Sequence, residues 1–116
     1  MTSEKTPPVL ADLAALLPEI PADTIISRTV YSDDRLKVVL FGFAPGQELS
    51  EHTASKPAVI HFLSGEAVLV LGDQTHEARA GTWARMPAHL SHSITARSQV
   101  IMLLQLLDES SPNDIS

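Results

Sequence analysis

The chain has 116 residues, 8 basic against 14 acidic, a net charge of −6 and no cysteine. That length is one domain's worth of chain with a single core. The acidic balance and the scatter of the basic residues exclude a nucleic-acid binder, which needs a basic footprint, and the lack of cysteine excludes a disulfide framework and thiolate chemistry. Any metal would therefore be held by His, Asp, Glu or backbone oxygen. The same lack fits a reducing compartment. The N-terminal MTSEKTPPVL has neither the charged start nor the apolar run of a signal peptide. No stretch approaches the roughly 18 apolar residues that cross a bilayer. The expectation is a soluble cytoplasmic protein with no membrane or nucleic-acid partner.

Residues 1–8 are polar and close on Pro7-Pro8, which reads as a flexible arm. Val9 to Leu17 places Leu10, Leu13, Leu16 and Leu17 at helical spacing, and Pro18 and Pro21 end it. One short α-helix covering an edge or an open end of the sheets is expected there. Strand signals follow. Ile25–Tyr31 is β-branched and partly alternating, Ser32 to Arg35 is a turn, and Leu36–Phe43 is a long apolar strand broken by Ala44-Pro45-Gly46.

Gln47–His52 alternates, with Leu49 and Glu51 on one face and Ser50 and His52 on the other. A loop over Thr53–Pro57 leads to the strand Ala58–Leu63 and a Ser64-Gly65 turn. Ala67–Leu71 and Gln74–Ala78 form a hairpin through Gly72-Asp73. Thr82–Met86, Leu90–Thr95 and Gln99–Leu107 complete the set, the last apolar enough for a central strand, and 108–116 is a polar tail. Nine short strands with turns every eight to twelve residues make an all-β sandwich or barrel over 9–107, with no linker and no second domain.

Two segments carry four of the five histidines: 46–65, with His52 and His61, and 81–96, with His89 and His92. Five residues separate Gly46 from His52, and Gly65 closes that segment; Gly81, Pro87 and His92 are spaced G-x5-P-x4-H. These spacings resemble the two motifs of the cupin superfamily. The resemblance covers roughly residues 36–107 and points to a small single-domain bacterial cupin of the conserved-barrel type with a degenerate first motif. It implies a jelly-roll β-barrel, a homodimer, and a divalent metal held by two His and a Glu from the first motif and a His from the second. In this chain Ala54 stands at the second His position, Ala58 at the Glu position, His89 at the glycine of the second motif and Ala96 at its Asn. Only His52 and His92 match the usual ligands.

A tight metal site takes at least three protein ligands, so a third would come from His61, His89 or Glu51. On a regular strand His61 faces away from position 58, and a bulge in the Thr53–Pro57 region would turn it inward. His89 sits on a turn at the barrel mouth, either reaching inward or solvated. Glu51 alternates with His52. His76, in a hairpin, reads as surface. Phe41, Phe43 and Phe62 read as core, and Trp83 and Met86, on opposite strand faces, as core or interface. Arg85 shares a face with Trp83 and reads as surface charge. There is no nucleophile elbow, no phosphate-cradling glycine loop and no carboxylate pair at strand spacing.

The expected role is binding of a small-molecule ligand in a His-lined pocket, with His52 and His92 at its polar end. Two alternatives stand beside it. One is a metal-dependent cupin enzyme of dioxygenase, isomerase or lyase type, using Zn, Ni or Fe. The other is a non-catalytic structural homodimer with a vestigial pocket, for which Val9–Leu17 and Val100–Leu107 are the interface candidates.

Overall fold

The computed structural model describes residues 6–108, with Glu51 and His52 described by their backbone alone. Within them run nine strands: β1 (Ile25–Ser32), β2 (Leu36–Phe43), β3 (Glu48–His52), β4 (Ala58–Ser64), β5 (Glu66–Leu71), β6 (Gln74–Arg79), β7 (Trp83–Met86), β8 (His92–Ala96) and β9 (Val100–Leu107). They pair antiparallel into a five-stranded sheet, β1-β2-β9-β4-β7, and a four-stranded sheet, β3-β8-β5-β6.

The period of two along each strand decides what lies between the sheets. On β4, Ala58, Ile60 and Phe62 are buried while Val59, His61 and Leu63 are half-buried on the other face. On β8, His92, Ile94 and Ala96 are buried and Ser93 and Thr95 alternate with them. The inner faces meet in one apolar core that includes Phe43, Ile60, Phe62, Leu69, Ile94 and Met102. Phe41 packs on Phe43 with ring centroids 6.3 Å apart.

The strands β2 and β9 read as continuous apolar runs because both of their faces are covered. A second cluster of Leu17, Val38, Leu40, Ile101 and Leu103 lies on the outer face of the five-stranded sheet. The cover is the N-terminal segment, whose Leu13, Leu16 and Ile20 pack against that cluster. Ile20 occupies the space left by Gly42, where a Cβ would come within 2.7 Å of its side chain.

That segment contains a single 3-10 turn, Ala14–Leu16, without a side-chain cap. The short α-helix expected over Val9–Leu17 is thus reduced to one turn. The prolines at 8 and 18 leave too few residues to offset helix nucleation. The segment also lies across a sheet face rather than at an edge or open end. The strand Val100–Leu107, a candidate for a dimer interface, is β9, enclosed between β2 and β4 with a core on each face.

The hairpin joining β1 to β2 turns on Asp33, whose Oδ1 accepts the backbone N–H of Arg35 and of Leu36, each at 2.8 Å. Residues 1–5 and 109–116, most of the expected arm and tail, lie outside the described residues. Asp108 is held at its backbone, its N–H donating to the Arg35 carbonyl at 2.9 Å.

Candidate functional site

At one end of the barrel three loops are stitched by backbone hydrogen bonds. The His89 N–H donates to the Ala54 carbonyl at 2.7 Å, and the Gly72 N–H to the Ser91 carbonyl at 2.8 Å. This ties the loops 53–57, 72–73 and 87–91 together. His89 reaches its bond with φ of 70°, a left-handed backbone that histidine tolerates better than most side chains.

Below these loops one rung crosses the four-stranded sheet: His52 of β3 opposite His92 of β8, His92 opposite Leu71 of β5, Leu71 opposite Gln74 of β6. The ladder slips between Leu49 and His52. Leu49 meets Ile94 and His52 meets His92, so two residues of β3, 50 and 51, stand against one of β8, Ser93. Strict alternation separates Leu49 from His52; the bulge sets both backbones opposite inward residues of β8. The side chains of Glu51 and His52 lie outside the described residues.

His92 is the one buried polar residue among the described residues, at 6% exposure. Its Nδ1 lies 3.1 Å from the Leu90 carbonyl oxygen. A carbonyl oxygen can only accept, so the proton sits on Nδ1. In the neutral ring the lone pair is then on Nε2, and the bond fixes both tautomer and ring orientation. The neighbouring core cluster is apolar, with Met86 buried in it and Leu71 and Leu90 half-buried against it.

The other candidates fall elsewhere. The β4 ladder is regular from Ala58 to Phe62, and its slip comes only between Phe62 and Ser64. His61 therefore stands on the outer face, opposite Leu103 on one side and Trp83 on the other. It is not brought together with His92. His89 is exposed on its loop. Ala58 is buried between Met86 and Leu106, its cross-strand partners, so an apolar contact fills the position where the resemblance implies a carboxylate.

Trp83, 60% exposed, and Arg85 share the outer face of β7, while Met86 is core. His76 is exposed on β6. Among the described residues no group of three or more His, Asp or Glu is placed to hold a metal ion.

A groove of about 400 Å³ lies outside the barrel, between Pro8, Leu10 and Leu13 and the sheet residues Tyr31, Val38 and Leu103. Its polar rim is used internally, because the Tyr31 hydroxyl donates to Asp33 Oδ2 at 2.5 Å. The barrel interior, with a buried imidazole, is the better candidate.

The fold and the two spaced segments define a small antiparallel barrel. The chain belongs to the cupin domain family, whose sequence model matches residues 39–106. It is similar to a cupin superfamily protein from Desulfitobacterium hafniense, at 30% identity over 84% of this chain and 88% of that one, with a TM-score of 0.78. It is also similar to a conserved protein of unknown function from Streptococcus pyogenes, at 27% identity over 89% and 90%, TM-score 0.78. A cupin 2 conserved barrel domain protein from Leptotrichia buccalis matches at 25% identity over 82% of this chain and 46% of that one, TM-score 0.75. No curated protein matches the sequence. No helix among the described residues is long and apolar enough to cross a membrane.

Proposed function

We propose that the barrel binds a small organic molecule at its loop end, with His92 as the polar anchor and the apolar interior holding the rest. The observation that carries this reading is the one imidazole buried among the described residues, oriented by the Leu90 carbonyl in a barrel whose described core is apolar. Ligand pockets commonly combine an apolar wall with a few placed polar groups. An imidazole of fixed tautomer takes a hydroxyl or N–H from a ligand, or acts as a base toward it. The alanines at 54 and 58 supply neither charge nor metal donor, which supports binding ahead of metal-dependent catalysis.

A second reading has its own observation. His52 and His92 are cross-strand partners, and two imidazoles on one rung can hold a first-row divalent ion such as Zn²⁺, Ni²⁺ or Fe²⁺ if a third donor joins them. Elemental analysis of tag-free protein, with His52→Ala and His92→Ala beside it, separates the two. The expected result is well below one equivalent of metal, with thermal stabilisation by ligands from a small-molecule screen that His92→Ala abolishes. One equivalent of metal, lost in both variants, would replace the binding reading with the metal one.

A further inference from the structure

The N-terminal segment over residues 9–17 is apolar on both of its sides. Leu13, Leu16 and Leu17 pack inward on the five-stranded sheet, while Val9, Leu10, Ala11, Ala14 and Ala15 are exposed. Asp12 is its one charged residue. A segment apolar on one side closes a core against water; one apolar on both sides fits between two layers. This segment covers only part of the outer sheet face. It packs on Val38 and Leu40 of β2 and on Ile101 and Leu103 of β9. The β4 and β7 part of that face keeps Val59 and His61 half-buried and Trp83 and Arg85 exposed. The exposed large hydrophobics among the described residues, Val9, Leu10 and Trp83, thus share one side of the barrel.

We propose that this side docks a second copy of the chain, with the two N-terminal layers lying side by side between two five-stranded sheets. A two-fold axis along the strands, between β9 and β4, turns the β4–β7 half of one copy over the layer of the other. The two contacts are then identical. In each, Trp83 meets the exposed side of the other copy's layer, where Val9, Ala11 and Ala14 stand. The layer makes a step across half of the face, and the other copy's layer fills the lower half. The proposal is independent of the binding role of the interior.

The halves are complementary in sign. Residues 6–24 carry Asp12, Glu19 and Asp23 and no base, while β4 and β7 carry His61 and Arg85 and no acid. The chain has a net charge of −6, and the exposed side of the other sheet presents Glu48, Glu66 and Glu77. Two copies therefore meet with less repulsion on the five-stranded side. Each half-face spans two to three strands by about five residues, roughly 250 Å², so the four half-faces come to about 1,000 Å². That is the lower end of specific interfaces, and it implies a dimer forming at roughly 10–100 µM.

The test is sedimentation velocity of the full chain from about 1 to about 500 µM, with the emission of Trp83, the sole tryptophan, read over the same range. The variants are Trp83→Ser, Ala14→Glu and, at an exposed position of β6, Thr75→Glu, each checked for native circular dichroism. The expected result is a monomer with a solvated indole at the dilute end and a dimer with blue-shifted emission at the concentrated end. Trp83→Ser and Ala14→Glu each weaken the dimer about tenfold or more, and Thr75→Glu leaves it unchanged. Ala14→Glu also removes the blue shift, although Ala14 lies in the layer over β2 and β9 and Trp83 on β7. A monomer at the highest concentration overturns the proposal. A dimer that Trp83→Ser and Ala14→Glu leave intact forms through another surface and overturns it too. Growth beyond the dimer does the same, because a two-fold contact closes on itself.

Discussion

At the scale of single residues, two glycines with nearly the same backbone carry different constraints. Gly46 has φ of 84° with nothing within 4 Å of a Cβ, while Gly65 has φ of 87° and a Cβ there would collide with the Gln99 carbonyl. Gly46→Ala should cost only the left-handed backbone, about 1–2 kcal/mol. Gly65→Ala adds a clash with rigid backbone and should cost clearly more, roughly 3 kcal/mol or above. Urea unfolding of the two variants side by side checks the order. Equal costs would mean that the Ser64-Gly65 turn can move away from residues 98–100.

Asp33 offers a pH test at the same scale. The Tyr31 hydroxyl, and after it the Arg35 N–H, hold its carboxyl below the ordinary carboxylate range. A depressed native pKa contributes stability above the unfolded pKa and loses it as pH falls through the native value. The stability gap between the full chain and Asp33→Asn should hold steady from neutral pH to about pH 5 and narrow below about pH 4. Because Asp33 is exposed, the gap itself is small. Denaturant midpoints across that range test the sign.

At the scale of elements, the N-terminal segment is a third layer. Leu17, at 8% exposure, is its buried residue, and it packs with Leu40 and Leu103 on the outer sheet face. Leu17→Ala should cost about 2–3 kcal/mol, while Ala15→Ser, on an exposed position, should stay within about 0.5 kcal/mol. A near-zero cost at Leu17 would mean that the segment is a loose drape. Its leucines were readable as an apolar stripe, but their spacing suits a helix on a core. Only the neighbouring sheet face, with its gap at Gly42, decides that one 3-10 turn is enough.

At the scale of the whole molecule, the pairings are long in sequence: β2 joins β9 and β4 joins β9. Such non-local closure should make folding a millisecond-to-second process, measurable by stopped-flow circular dichroism. Trp83, at 60% exposure on an edge strand, should be a poor reporter. Its native emission should lie close to that of the unfolded chain, and a strongly blue-shifted native maximum would place that face in an interface.

The strand set and family were legible in the residues alone. Turn residues such as Gly72-Asp73 and alternating or continuous apolar runs are local signals, as are the spacings of Gly46, His52 and Gly65 and of Gly81, Pro87 and His92. The alternation also set His61 opposite to position 58, as the regular β4 ladder does. Tertiary pairing decided the rest. A period of two says which residues share a face but not which strand lies beside which, nor where a ladder slips. The slip that pairs His52 with His92, the sheet edge that leaves His76 exposed, and the apolar cover over β2 and β9 all depend on partners distant in the chain. No local pattern encodes them, because they arise only when the two sheets close.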